Sequence, residues 1–496
     1  MKSKIITILI PLASLLLVSC KGKDNGPAGY VKVDKLSFLS QDIRNEYAPA
    51  LGDVKLLVVP ITFAGSTASG HTKDISKWTD AKIKSVEDLY FGESGSLSAY
   101  YKTASFNKLR ITGVVSDIYQ NTTKSVDAIL NDSSMEVLRD MMDDALNWLH
   151  DNATNINWQE YDLNHDGCID NIHFITDYCS SDWNTNLWPH MYWTNRKGTI
   201  ERPMVNVYSM SGTSFVTNSI TAIHEQGHIF GLDDYYDYSN NGNSPIDYVG
   251  QLDMQSHNVF DWNSYSKLIT GWVDPYVIDG TRKKTTITLN AASLSGDCLI
   301  IPADYSSWNG SGYDEYFLLE LFAPFGNNEK DWKRYKNVLG SEPGVRLYHV
   351  DARVYGSNKV DPYNEQLLII DDMDAQEINS SEDARKWDRV RVGANNCSNW
   401  RDYEGGIEQL KDHPLLSLVQ ERGFFTFAKN DYNNHMLTAA DLFKEGDKFT
   451  FEEYSHFLSK SNKAQATMDN GETFPYEITF GKITDKTATI TVTKVK

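Results

Sequence analysis

Hydrophobic and polar positions recur with different periods along the chain, and the changes of period mark its elements. Residues 54–63 read VKLLVVPITF, a dense β-branched run that predicts a buried strand. Residues 89–115 read LYFGESGSLSAYYKTASFNKLRITGVV. The first half mixes turn signals with aromatics, and LRITGVV at its end predicts another strand. In residues 131–152, Leu138, Met141, Met142, Ala145, Leu146 and Leu149 recur at helical spacing, which predicts a helix packed on the core. Ser133 and Glu136 ahead of them form an S-x-x-E pattern, so a capping box is expected at its start.

Beyond Trp272 the pattern shortens. TTITLN at 285–290, CLIIPA at 298–303, EYFLLELF at 315–322 and VRLYHV at 345–350 are strand-like runs. ETFPYEITF and KTATITVTKV follow near the end, two alternating runs separated by a turn. The final ~50 residues suggest a small sandwich-like module. The expectation is an α+β chain in several parts. Residues 51–275 would form a mixed domain, 276–425 a β-rich region, and 426–496 the terminal module.

The start of the chain changes the picture. MKSKIITILIPLASLLLVSCKGKDNG has two lysines, an apolar run over residues 5–18, and then Ser19-Cys20. A short basic start before a short apolar run is a secretory signal rather than a spanning helix. Leu17-Val18-Ser19-Cys20 resembles the bacterial lipobox, which implies removal of residues 1–19 and a lipid on Cys20. The polar segment after it, within 20–50, reads as a tether. The expected product is an exported outer-membrane or cell-surface lipoprotein, held to the membrane through Cys20. The balance of 47 basic against 67 acidic residues gives a net charge of −20, which argues against a nucleic-acid partner. Cys168, Cys179, Cys298 and Cys397 lack CxxC spacing and read as structural at most.

Two stretches carry candidate chemistry. The first, DLNHDGCID at 162–170, places Asp162, Asn164 and Asp166 at alternate positions, then a glycine and Asp170. That is the first half of a calcium loop. His173 stands where the loop would need its bidentate glutamate, and NIHFIT continues as a strand, so this is no EF-hand. Two readings stand: a single calcium-binding turn leading into a strand, and an Asx-rich turn without metal.

The second stretch, HEQGHIFGLDDYYD at 224–237, is more specific. Residues four apart share a helix face, so His224 and His228 can direct ring nitrogens at one zinc ion. Glu225 sits one position round, placed to act as general base on a water. Gly231 suits the end of the helix, and Asp234 completes H-E-x-x-H-x-x-G-x-x-D. This is the metzincin pattern with aspartate as third ligand. A thermolysin-like site would need a downstream glutamate, and the next one is Glu315. Met254 in QLDM is a candidate for the methionine turn beneath the metal, and His257 is an alternative third ligand. Zinc makes a bound water acidic near neutrality, so the set predicts peptide-bond hydrolysis without a covalent intermediate.

With these residues in view, the chain resembles the immune-inhibitor-A-like family of secreted bacterial metallopeptidases. LLVVPITF with the segment at 89–115 resembles that family's first strand and its small/aromatic segment. DLNHDGCIDNIHFI resembles its Asp-rich turn and the following strand. HEQGHIFGLDDYYD resembles its zinc signature, with His224, His228 and Asp234 matching ligands and Glu225 the base. LDM and KLITGW resemble the methionine turn and the next helix, and EYFLLE and GVRLYHVD its later β segments. The resemblance runs from Val54 to Asp351, with a looser β tail. Asp233 stands where the family tends to have proline, and Gln226 where an aromatic is common. What the resemblance implies is a metzincin-like zinc endopeptidase acting on protein or peptide substrates. A second class of function also fits the 27 tyrosines and 12 tryptophans: a non-catalytic surface lipoprotein that binds glycans or host proteins. It would need no intact zinc set.

Overall fold

The computed structural model describes residues 28–34, 36, 48–63, 78–178, 185–194, 196–212, 219–237, 246–356, 389–391, 414–423, 426–427, 436–454 and 467–495. The leader, Cys20, Cys179 and Cys397 lie outside them. No described helix is long and apolar enough to cross a membrane. Cys168 and Cys298 are free thiols.

The chain is a mixed α/β protein. Its first sheet is built on β1 (Gly52–Thr62), with helices α1 (Asp80–Phe91) and α2 (Leu97–Ala104) following in the chain. Strands β2 (Leu109–Val115), β3 (Ile172–Thr176), β4 (His190–Trp193) and β5 (Val207–Gly212) form its main path, and the short strand Tyr119–Gln120 pairs with the end of β1. The order is β2-β1-β3-β5-β4; the first four run parallel and β4 lies antiparallel on the outer edge. The apolar run of β1 is buried on both faces, as expected of an inner parallel strand. Leu57, Val59 and Ile61 pack toward helix α3 (Glu136–Asn152), while Val54, Leu56 and Val58 share the opposite core with α1, α2 and α4 (Ile220–Ile229).

Helix α3 buries Leu138, Met141, Met142, Ala145, Leu146 and Leu149, the six positions that the spacing selects. Its start differs from the capping-box expectation. Met135 is the N-cap residue and takes a left-handed conformation, with no side-chain cap of its own. Asp132 serves instead: its carboxylate accepts from the Val137 N–H at 2.7 Å and the Ser134 N–H at 3.0 Å. The left-handed residue inserts a turn that takes Ser133 out of register with the first helical N–H groups.

A second sheet of six strands forms the middle layer. Its order is Tyr30–Lys32, Tyr276–Ile278, Cys298–Ile301, β6 (Glu315–Phe322), β7 (Gly344–Asp351) and Leu416–Leu418. Residues 30–32 thus pair at the edge of this sheet rather than belonging wholly to a tether. Side chains alternate across β6. Tyr316, Leu318 and Phe322 face the first domain, and Phe317, Leu319 and Leu321 face the C-terminal sheet. That last sheet holds Lys284–Asn290, β9 (Thr487–Lys494), β8 (Tyr476–Ile483) and Lys448–Thr450 in that order. The sandwich expected within 426–496 therefore takes one strand from residues 284–290, and its second layer is the middle sheet.

Candidate metal centre

The candidate metal-binding segment begins on α4, which follows its N-cap residue Ser219. Tyr101 on α2 donates its hydroxyl to the Ile223 carbonyl at 2.7 Å and packs against Phe230, Trp262 and Trp272. Gln226, fully buried, donates to Asn171 at the foot of β3 at 2.9 Å. These contacts fix the rotation of α4, and with it the direction of both histidines.

The helix ends where the sequence pattern ends it. Gly231 has φ of 75°, a conformation that costs glycine little. Its N–H bonds to the His228 carbonyl at 2.8 Å, and the Leu232 N–H bonds to the Gly227 carbonyl at 3.1 Å. This paired closure is a Schellman motif. It reverses the chain so that the Leu232 carbonyl accepts from Nδ1 of His228 at 2.7 Å, and Asp234 is carried back to the histidines.

Three side-chain atoms converge there. Nε2 of His224 and Nε2 of His228 lie 3.2 Å apart; Oδ1 of Asp234 is 3.0 Å from the first and 3.6 Å from the second. Both Nδ1 atoms point away, to backbone carbonyls; that of His224 bonds to Met254 at 2.8 Å. A ring whose Nδ1 donates to a carbonyl presents Nε2 to a metal. Burial opposes charge on His224, but the Asp234 carboxylate outweighs it and pushes the ring up to about 9. Electrostatics that favour a proton at this point also favour a metal cation. The residues present therefore fit a metal ion.

Glu225 is buried beside this group. Burial raises it, the two histidines pull it back down, Asp234 pushes it up again, and the net direction is upward. Met254 opens the short helix α5 (Met254–His257) and contributes its carbonyl to His224, while its side chain is buried. His257 is not part of the convergent set; burial pulls it down and the charge of Asp247 opposes that.

Sequence reasoning did not find the residues that support the ligands. Gln255 packs directly on the glycine between the histidines. A Cβ on Gly227 would sit 2.2 Å from its Oε1. Gln255 accepts from Trp262 Nε1 at 3.1 Å and lies 3.4 Å from Nδ1 of His228. Asp253 caps α5 by accepting from the Gln255 N–H at 2.9 Å, and also accepts from the Asn263 N–H at 2.8 Å. The only local signal was the small residue inside HEQGH.

In the Asp-rich turn, side-chain oxygens meet backbone N–H groups. Asp162 accepts from Asp166 and Gly167 at 3.0 Å each, Asn164 from Asp166 at 3.1 Å, Asp166 from Cys168 at 2.8 Å and Asp170 from Leu163 at 2.8 Å. This is an Asx-turn network, and its carboxylates are not among the convergent metal-binding groups of the described residues. Burial pushes Asp170 up to about 6. His173 lies fully buried between Ser209 and Ser211, at 2.7 and 2.9 Å, so it belongs to the sheet and not to the loop.

Glu315, His349 and Asp469 form the other convergent group among the described residues. Its hydrogen bonding differs from the first. Nε2 of His349 bonds to Glu315 at 2.8 Å, and the buried Nδ1 has no partner. A metal-binding histidine ordinarily anchors its second nitrogen. Glu315 also accepts from the Asp469 and Asn470 N–H groups at 2.7 and 2.6 Å. The group ties residues 469–470 to the middle sheet.

Compared with known proteins, the chain matches no family model and no curated protein.

Proposed function

We propose that this protein is an exported zinc endopeptidase with a metzincin-like catalytic domain, anchored by a lipid on Cys20. The convergence of His224, His228 and Asp234, with buried Glu225 next to the first ligand, carries the reading. A tetrahedral zinc with bonds of about 2.0–2.1 Å spaces its ligand atoms by about 3.3–3.4 Å. The separations of 3.2, 3.0 and 3.6 Å bracket that value. Two imidazoles and one carboxylate are a donor set suited to zinc and leave room for water and substrate. The leader sequence supports export and lipidation.

A peptide substrate is supported by the edge of the first sheet. Strand β4 is its outer strand and packs beside α4. An outer strand offers backbone N–H and C=O groups to an added extended chain.

The chain's own residues then divide the work. His224, His228 and Asp234 hold the metal, with their orientation set by the Met254 and Leu232 carbonyls. Zinc, when bound, polarises the scissile carbonyl and makes a water acidic near neutrality. Glu225 takes one proton from the attacking water as its oxygen bonds to the carbonyl carbon. It returns that proton to the departing amine nitrogen as the C–N bond breaks. Its raised affinity for a proton suits both steps.

The test is cleavage of an unfolded protein by the soluble chain lacking residues 1–20, beside Glu225→Gln at matched zinc content. We expect the variant to keep its zinc and lose about 10²–10⁴-fold in kcat. Equal activity in both would remove Glu225 as the base.

A further inference from the structure

The middle sheet sends a charged pair toward the first domain, close to the loop that meets the metal site. Arg346 on β7 and Glu320 on β6 are direct cross-strand partners, 2% and 3% exposed. Arg346 Nη2 donates to the Leu252 carbonyl at 2.9 Å, and Nη1 lies 3.4 Å from Glu320 Oε1. The guanidinium stacks over Phe322, 3.4 Å from the ring centre. The other Glu320 oxygen accepts from the Ser264 N–H at 2.8 Å and its hydroxyl at 2.5 Å, at the start of helix α6 (Ser264–Ile269).

These bonds hold both ends of the segment that orients His224. Leu252 is two residues before Met254, whose carbonyl fixes the ring through Nδ1. Ser264 follows Asn263, which is bonded to Asp253 through its N–H and its Nδ2. A buried Arg–Glu pair is weak as a source of stability, because desolvation offsets attraction. Its geometry is specific, however, and here that geometry is spent on a loop carbonyl.

We propose that Arg346, steadied by Glu320, is a positioning residue for the metal site: it sets the 252–254 backbone that aims His224 at the ion. The inference rests on the zinc reading of that site. Partners of metal-bound histidines typically contribute 10–100-fold to metal affinity. Arg346 acts one step further out, through the loop that supplies such a partner.

The experiment measures zinc affinity of the folded soluble chain by competition with a chromophoric chelator, and the visible spectrum of the cobalt-substituted form. The parent, Arg346→Met, Arg346→Lys and Glu320→Gln are compared. His228→Ala serves as the site control, and Leu319→Ala as a core control on the opposite face of the same sheet. We expect Arg346→Met to weaken zinc about tenfold and shift the cobalt bands. Arg346→Lys should recover part of the loss, because an ammonium still donates to the carbonyl. Glu320→Gln keeps the shape and loses the charge; it should show a smaller loss and provides the reading if Arg346→Met does not fold. Leu319→Ala should lower stability without moving zinc affinity. Unchanged zinc affinity in folded Arg346→Met or Glu320→Gln overturns the inference alone. A parent that binds no zinc, or a His228→Ala variant that binds it equally, overturns the zinc reading and the inference together.

Discussion

The space between His224 and His228 is decided by a single hydrogen atom. Gly227 leaves room for Gln255, whose amide oxygen would be 2.2 Å from an added Cβ. A flexible side-chain end can often move aside, but this one is fully buried and receives the Trp262 indole N–H. Moving it breaks that bond and disturbs its approach to His228. Gly227→Ala would raise helix propensity by itself. We nevertheless expect a net loss of about 1–3 kcal/mol, as for other overpacked sites, together with weaker zinc binding. Urea unfolding of the metal-free protein and chelator competition would measure the two effects separately. A stabilised variant with parental zinc affinity would show that Gln255 repacks freely.

At the scale of elements, legibility in the sequence followed periodicity and failed where distance in the chain intervened. The two-sided burial of β1 and the stripe on α3 are local patterns, and both appear in the structure. The glycine that closes α4 was legible because positive φ has a residue preference. Asp253, Gln255 and Arg346 left no such mark, because their meaning depends on partners 10 to 94 residues away. The cap of α3 shifted from Ser133 to Asp132 for a related reason: sequence spacing cannot reveal that Met135 turns left-handed. The Asp-rich turn reads both as half of a calcium loop and as an Asx turn because the two use the same alternating oxygens. The strand after it carries a consequence of its own. His173 on β3 is pulled down to about 3 and His190 on β4 to about 4, both chiefly by burial. Each is neutral in the fold, while its unfolded form titrates near 6.5. Below that pH the unfolded chain binds protons that these two rings refuse in the fold, so the stability they contribute falls as pH drops from about 6.5 toward 4. The slope approaches about 1.4 kcal/mol per pH unit for each histidine. His224 does not contribute to this window in the metal-free protein, since it is already protonated in both states below about 6.5. Asp170 and Asp177, pushed up to about 6, and Asp253, pushed up to about 7, act in the opposite sense, because the fold takes up protons there that the unfolded chain does not. In urea unfolding of the metal-free chain at pH 7 and pH 5 the histidine contribution is therefore read as a difference: His173→Gln should lose less stability, or gain more, than the parent between the two. A parental slope in that variant would mean that His173 is charged in the fold.

At the scale of the molecule, the middle sheet shares a core with each of the two other large sheets, with one polar anchor on each face. Toward the first domain, Glu320 and Arg346 hold the loop that meets the candidate metal site. Toward the C-terminal sheet, Glu315 and His349 hold residues 469–470. The alternation of β6 and β7 separates the two sets completely: one-residue steps switch face, so the anchors share strands without sharing a core. This separation predicts that the C-terminal core and the metal site respond independently to substitution. Phe480 on β8 is buried, stacks on Phe443 at 4.5 Å and lies in the core with Phe317, Leu319 and Ile490. Truncating such a ring leaves a cavity and typically costs about 3–5 kcal/mol. We expect Phe480→Ala to lower the unfolding free energy by that amount, with a matching drop in the midpoint, while the remaining folded protein keeps parental zinc affinity. Calorimetry and chelator competition on the same preparation would check both halves. A parallel fall in zinc affinity would mean that the middle sheet transmits strain from one face to the other, and the anchors would then act as one coupled unit.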